Sequence, residues 1–182
     1  MRVIAGSAKG TRLFAPSKNH LRPTSDRTKQ VFFDTLLSIS PLPEFVVDIF
    51  AGTGSLGIEA LSRGVEKAIF VEKSVSSVRY LDRNLLQTHL KPRAQTLLAD
   101  AFVFLRRNGN AKYAMIFADP PYGGKYSSIV MDIVANTDVL CDGGLLVLEE
   151  THKYDLHTHD SLVLLKEKRI GDTKLFFIEK KG

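Results

Sequence analysis

Short β-branched runs alternate with longer amphipathic stretches from Phe45 onward, and that alternation sets the expected architecture. The runs Val46–Phe50, Lys67–Glu72, Gln95–Ala99, Tyr113–Ala118 and Leu145–Glu149 predict strands, and the stretches between them predict helices over Ser55–Arg63, Ser74–His89, Ala101–Arg107 and Tyr126–Asn136. Such alternation implies a parallel sheet with right-handed crossovers and helices on both faces. The end of the chain differs. Leu162–Arg169 and Lys174–Glu179 read as two further strands separated only by Ile170-Gly171-Asp172-Thr173. A link that short closes a hairpin, so the last strand must run antiparallel to its neighbour. Ahead of Phe45, Arg2–Ala5 and Thr11–Phe14 flank Gly6-Ser7-Ala8-Lys9-Gly10 and read as a β-hairpin arm. Thr24 or Ser25 supplies an N-cap for a helix that puts Val31, Phe32, Leu36 and Leu37 on one face and ends at Pro41 and Pro43. The expected fold class is α/β: a mostly parallel sheet of seven strands with a C-terminal antiparallel hairpin. The expected division is a hairpin extension over residues 1–23 and a main domain over 24–182.

Charge changes this picture because of where it sits. The chain of 182 residues carries a net +5. Residues 1–30 hold Arg2, Lys9, Arg12, Lys18, Arg22, Arg27 and Lys29 against Asp26 alone, a net of +6, so the remainder is at −1. An excess confined to the first sixth of the chain is what a segment lying on a phosphate backbone requires, and it nominates Arg2, Lys9, Arg12, Arg22 and Arg27 as nucleic-acid contacts. Composition, at 44% hydrophobic and 25% charged, is that of a soluble globular domain. No apolar run approaches the ~20 residues that span a membrane. The opening Met1-Arg2-Val3-Ile4-Ala5-Gly6 turns polar too early for a signal peptide. The single Cys141 excludes an internal disulfide framework and a multi-cysteine zinc site, and suits a reducing cytoplasm.

Candidate chemistry falls at the ends of predicted strands, where ligands bind in open α/β sheets. Asp48-Ile49-Phe50-Ala51-Gly52-Thr53-Gly54-Ser55-Leu56-Gly57 joins the first strand to its helix, and Gly52, Gly54 and Gly57 satisfy G-x-G-x-x-G. That pattern suits a dinucleotide as well as other nucleosides. Glu72, ending the second strand, is placed to accept hydrogen bonds from both hydroxyls of a ribose. Asp48 discriminates: a carboxylate just before the glycine loop repels a pyrophosphate and attracts the ammonium of a methionyl group. Asp100, followed by Ala101 after the third strand, reads either as an acceptor for an adenine amino group or as a helix N-cap. After the fourth strand comes Asp119-Pro120-Pro121-Tyr122. An exocyclic amine is a poor nucleophile because its lone pair is delocalised into the ring. Here the Asp119 carboxylate would accept one N–H and the Pro120 carbonyl the other, while Tyr122 stacks on the base. Two prolines fix φ and remove two donors, so the loop presents carbonyls in a preset geometry.

These residues together resemble the bacterial RsmD family, which methylates the exocyclic N2 of one guanine in 16S ribosomal RNA with S-adenosylmethionine. The resemblance runs along essentially the whole chain. It includes Arg2-Val3-Ile4-Ala5-Gly6, Lys9-Gly10, Leu13, Arg22-Pro23-Thr24-Ser25-Asp26-Arg27, Asp48 to Gly64, and Asp119 to Tyr122. The tetrapeptide alone occurs in many amino-methyltransferases, so the Arg22–Arg27 segment is what narrows the family. The resemblance implies a Rossmann-like class I methyltransferase fold and a catalytic loop of Asp119, Pro120, Pro121 and Tyr122. It implies S-adenosylmethionine held by Asp48, Gly52, Gly54, Glu72, Asp100 and Ala101, and 16S rRNA or the assembling 30S subunit as partner. A cytoplasmic monomer needing no metal is expected. The chain departs from the family pattern at Thr28-Lys29-Gln30, where a second basic–acidic pair is usual, and at Ala5-Gly6, where two glycines are common. A DNA adenine-N6 methyltransferase is the alternative within the class, although nothing resembles a separate target-recognition domain. An NAD-dependent oxidoreductase would leave Asp119 to Tyr122 unexplained, and a non-catalytic RNA-binding protein on the same scaffold is a third reading. His152, His157 and His159 read as a hydrated loop, and Glu149 and Glu150 as facing either the cleft or solvent.

Overall fold

The computed structural model describes residues 1–16, 26–157 and 159–182. The expected N-cap at Thr24 or Ser25, together with Lys18 and Arg22, lies outside the described residues. Helix α1 spans Asp26–Ile39, and the alternating core follows as β1 (Phe45–Ile49), α2 (Ser55–Ser62), β2 (Lys67–Glu72), α3 (Val75–Gln87), β3 (Ala94–Leu98), α4 (Ala101–Arg107), β4 (Tyr113–Ala118), α5 (Lys125–Asn136), β5 (Leu140–Thr151), β6 (Leu162–Ile170) and β7 (Thr173–Lys180). The strands form one seven-stranded sheet in the order β3-β2-β1-β4-β5-β7-β6. β1 to β5 pair in parallel, and β7 runs antiparallel to both β5 and β6. This is the Rossmann-like class I fold expected from the sequence.

Each face of the sheet is covered. Phe32, Phe33 and Leu36 of α1, Ile58 and Leu61 of α2, and Leu81 and Leu85 of α3 pack on one side against Val46, Phe70, Phe117 and Phe177. Phe104 and Leu105 of α4, with Val130, Met131 and Val134 of α5, pack on the other against Val47, Ile49, Ile116, Leu146 and Phe176. Central strands are therefore buried on both sides, which is why their sequences read as unbroken apolar runs. Phe32 meets Phe117 edge-on with ring centroids 5.2 Å apart; each fully buried phenyl contributes about 1.5–3 kcal/mol.

Two elements differ from expectation. β5 begins five residues early, at Leu140, because Cys141-Asp142-Gly143-Gly144 is absorbed into the strand as an irregularity: the register jumps from Tyr113↔Leu140 to Met115↔Leu145, and Gly143 takes φ +71°. The N-terminal arm is a short hairpin rather than two full strands: Arg2 and Arg12 pair antiparallel, Val3 N–H donates to the Thr11 carbonyl and Gly10 N–H to the Val3 carbonyl, both at 2.9 Å, and Leu13 N–H donates to the Met1 carbonyl at 3.1 Å. The turn between them bonds to α2: the N–H groups of Ile4 and Ala5 donate to the Glu59 carboxylate at 2.8 and 3.0 Å, and Ser7 N–H donates to the Ser62 carbonyl at 2.8 Å. Val3, Ala8 and Leu13 join the main core. Beneath them lies a buried cation: the Lys29 ammonium donates to the Arg2 carbonyl at 2.6 Å and sits 3.5 Å from Glu59, with neither side chain exposed. Burial pulls the Lys29 pKa down while the Glu59 charge opposes that shift.

The arm docks so closely that position 6 admits no side chain. A Cβ on Gly6, at φ +80°, would lie 1.7 Å from the Ser62 carbonyl oxygen. Gly6→Ala should therefore cost about 2–5 kcal/mol, combining left-handed backbone strain with overpacking against rigid backbone. Gly10, at φ +86° with nothing within 4 Å, is the control. Gly10→Ala should cost only about 1–2 kcal/mol, and equal losses for the two in urea unfolding would refute tight docking.

Candidate active site

The strand order reverses between β1 and β4: the chain leaves β1 toward β2 and β3, then crosses back to lay β4 on the other side of β1. The carboxyl ends of these two strands therefore open a crevice, the usual position of a ligand in such a sheet. Asp119 follows directly on Ala118, whose neighbours are Ile49 on β1 and Leu148 on β5. The glycine loop follows Ile49. Thus the two motifs that are about seventy residues apart in sequence become adjacent at the switch point.

The glycine loop is tied from two sides. Glu72 crosses from the end of β2, accepting from Gly52 N–H at 2.9 Å through one oxygen and from Ser74 N–H at 2.7 Å through the other. Each of its oxygens keeps a second lone pair for a ligand hydroxyl. Asp48, only 2% exposed, accepts from Gly57 N–H at 2.9 Å. Gly57 is required by contact: a Cβ there would lie 2.3 Å from the Phe70 ring and 3.1 Å from the Asp48 carboxylate. Phe50 takes φ +58°, strained for an aromatic residue, and its ring is packed edge-on against Phe102 at 5.6 Å and Tyr126 at 6.3 Å. Asp100 is the N-cap of α4, accepting from Phe102 N–H and Val103 N–H at 2.9 and 3.1 Å through one oxygen. The cap reading is thus realised. Ala101 starts α4 and is buried.

Burial pushes the Asp48 carboxyl up to about 7; the Gly57 N–H opposes the shift and the nearby Glu72 charge adds to it. The native state then holds a proton that the unfolded chain, with an ordinary pKa near 3.8, has lost. Stability from this group is therefore highest at low pH and falls as pH rises across that window, by at most about 1.4 kcal/mol per pH unit. Asp48→Asn keeps an oxygen for Gly57 and removes the titration. Between pH 5 and 8 the melting temperature of the ligand-free native protein should fall relative to that of Asp48→Asn; parallel profiles would contradict a buried, titrating Asp48.

The catalytic-loop candidates are held from beneath. Asp119 is half-buried, Pro120 buried and Pro121 exposed. Tyr122 is 40% exposed, while its hydroxyl lies 3.1 Å from Glu149 Oε1 and 3.2 Å from Thr173 Oγ1. Burial first, and then the Glu149 charge, raise its pKa above the ordinary tyrosine value. Glu150, fully buried, accepts from Gly123 N–H at 3.2 Å, Gly124 N–H at 3.0 Å and the Ser127 hydroxyl at 2.8 Å. Consecutive glutamates on β5 thus grip the loop at successive points. Neither faces open solvent.

Of the basic candidates, Arg2, Lys9, Arg12 and Arg27 are exposed, with Arg2 Nε 3.1 Å from Asp26. Lys29 is spent inside. Gln30 donates to Asp34 of its own helix at 2.6 Å. Two further residues escape sequence reading. Glu59 joins arm, α1 and α2, also accepting from Arg63 at 2.8 Å. Asn84 of α3, fully buried, accepts from Phe14 N–H at 2.7 Å and donates to the carbonyls of Phe14 and Thr53 at 3.0 and 2.9 Å, fastening the arm to the glycine loop. An asparagine or glutamate inside a helix carries no local mark of this. His159 pairs with Asp132 at 3.0 Å and His152 lies 3.8 Å from Asp172. Among the described residues no cluster of metal-ligating side chains occurs, and no helix is long and apolar enough to cross a membrane.

Comparison with known proteins follows the same lines. "Putative rRNA methyltransferase YlbH" of Bacillus subtilis is 33% identical over 187 residues, covering 100% of both chains. "Ribosomal RNA small subunit methyltransferase D" of Haemophilus influenzae is 31% identical over 94% of this chain and 89% of its own. A solved structure, "Putative methyltransferase yhhF from Escherichia coli", superposes with a TM-score of 0.85 at 27% identity, covering 100% of this chain and 98% of that one. The family described as Conserved hypothetical protein 95 matches residues 1–179. With that match and a relative alike from end to end, the chain belongs to the Conserved hypothetical protein 95 family, the RsmD family.

Proposed function

We propose that this protein is an S-adenosylmethionine-dependent methyltransferase acting on the exocyclic N2 amine of a guanine in 16S ribosomal RNA, free or in the assembling 30S subunit, as a monomer in the cytoplasm. The observation that carries this reading is Asp119-Pro120-Pro121-Tyr122 at the end of β4 beside the glycine loop after β1. Relatives named as small-subunit rRNA methyltransferases support the RNA substrate. The donor set suits the cofactor. At the head of α2, where a dinucleotide would lay its pyrophosphate, the Gly57 N–H is already taken by the Asp48 carboxylate. A cationic methionyl group is favoured there, with Glu72 for the ribose hydroxyls, Gly52 and Gly54 for close backbone approach, and Asp100 with Ala101 beside the adenine.

When bound, the cofactor supplies an electrophilic methyl group on a sulfonium. Asp119 and the Pro120 carbonyl accept the two N–H bonds of the amine, localising its lone pair and aiming it for in-line attack. Asp119, or water beside it, would take the proton the amine loses as the methyl group exchanges its bond to sulfur for one to nitrogen. Tyr122 covers the base, which must leave any stack to enter; single-stranded or bulged RNA is the cheaper substrate. Orientation alone can supply about 7–11 kcal/mol of the barrier. Arg2, Lys9, Arg12, Arg22 and Arg27 contact phosphates. The decisive experiment incubates the protein with S-adenosylmethionine and rRNA or 30S particles from cells lacking it, and maps the product by mass spectrometry. N2-methylguanine at one 16S position is expected; transfer to adenine in duplex DNA supplied in a parallel reaction, or no transfer to rRNA or 30S particles, would overturn the reading.

A further inference from the structure

The Tyr122 hydroxyl has more structure around it than base stacking needs. It reaches Glu149 Oε1 at the end of β5 and Thr173 Oγ1 at the start of β7, and both residues are buried. The bonding directions follow from the inventory of protons. A carboxylate only accepts, so tyrosine spends its single hydroxyl proton on Glu149, and the threonine hydroxyl must donate to the phenolic oxygen. This makes a directed chain, Thr173 to Tyr122 to Glu149, drawn from three elements. Thr173 pairs with Thr151 across β5 and with Ile170 across the hairpin turn, so its position is set by the sheet. The loop it reaches is less constrained from within: Gly123 and Gly124 follow Tyr122 directly, both at positive φ.

We propose that Thr173 and Glu149 are positioning residues for methyl transfer: they fix the Tyr122 ring as a rigid platform for the acceptor base, which makes the β6–β7 hairpin part of the acceptor site. This rests on the reading of Tyr122 as the stacking residue. A ring free to swing would still contact a base but would not hold its amine in line, so the rate of the chemical step suffers more than binding does.

The test is a cycle of variants in single-turnover methylation of rRNA. Thr173→Val removes the donor at nearly constant shape and should slow the step about 3- to 10-fold, the worth of one hydrogen bond, with RNA affinity and S-adenosylmethionine affinity little changed. Thr173→Ser should restore most of the rate, and Glu149→Gln, which keeps an oxygen acceptor for the Tyr122 hydroxyl but no charge, should slow it less than Thr173→Val. Tyr122→Phe should match Thr173→Val, and the Tyr122→Phe/Thr173→Val double variant should be no slower than Tyr122→Phe alone. Multiplicative losses, or a wild-type rate in Tyr122→Phe, would overturn the proposal. Ring order of Tyr122, followed by NMR of tyrosine-labelled protein, decides the anchor independently of any substrate. Faster ring averaging in Thr173→Val supports it, and unchanged averaging sinks it. Absence of methyl transfer in the wild type, by contrast, would refute the functional reading while leaving the ring measurement to judge the anchor.

Discussion

Asp119→Ala should lower methyl transfer to rRNA by about 10²–10⁴-fold, the range for loss of a group that manages a proton and orients a nucleophile, while S-adenosylmethionine still binds. The asymmetry follows from position. Asp119 leaves β4 one residue beyond Ala118, whereas the cofactor candidates Asp48, Glu72 and Asp100 sit on or just after β1, β2 and β3. In the proposed mechanism, removing its carboxylate takes away the acceptor for the amine N–H and leaves the glycine loop's anchors, Glu72 on Gly52 and Asp48 on Gly57, in place. Asp119→Asn retains an oxygen acceptor but no charge and should fall between the two. Calorimetric titration with the cofactor, set beside single-turnover rates, separates the effects. A variant with near-normal turnover, or one that no longer binds the cofactor, would show that Asp119 has another role.

Glu59→Ala should be strongly destabilising, costing about 3–5 kcal/mol, the usual cost of breaking a buried ion pair from one side. The Lys29 ammonium would remain in the core with its charge uncompensated, and Ile4 N–H, Ala5 N–H and Arg63 would each lose an acceptor. Against a total stability of about 5–15 kcal/mol, that is a large fraction, and for a chain of this size it corresponds to a fall in melting temperature of about 6–20 °C. Lys29→Met combined with Glu59→Gln should recover part of the loss, because no buried charge is then left alone. A drop of less than about 2 °C in Glu59→Ala, below what even a 1 kcal/mol loss predicts, would mean that the arm and Lys29 are held by other means. RNA binding should weaken in parallel, since the arm that displays Arg2, Lys9 and Arg12 is anchored through this carboxylate.

Glu59 also shows where sequence reading stopped. The net +6 of the first thirty residues pointed to a basic arm, and Arg2, Lys9, Arg12 and Arg27 are indeed exposed. Lys29 contributes to that +6, yet it is wholly buried. Nothing within its own helix distinguishes it, because its partner is thirty residues away on another element. Asp100 is a similar case. Its sequence context fits a ligand contact and a helix cap equally well, and the bonds to Phe102 and Val103 show the cap in place.

The sequence by itself determined the element types, the parallel core with its antiparallel end, and the placement of the candidate site residues at successive strand ends. These depend on local regularities: period-two and period-3.6 apolar spacing, glycine where the backbone must turn or approach closely, and a loop too short for anything but a hairpin. Tertiary structure alone decided which polar groups are shared between distant segments. Ile4 bonds to Glu59 across 55 positions, Phe14 to Asn84 across 70, and Tyr122 to Thr173 across 51. It also decided the burial that pushes the Asp48 carboxyl up to about 7. Burial and pairing belong to the packed arrangement of elements and have no periodicity along the chain, so they become visible only when the sheet and its helices are assembled.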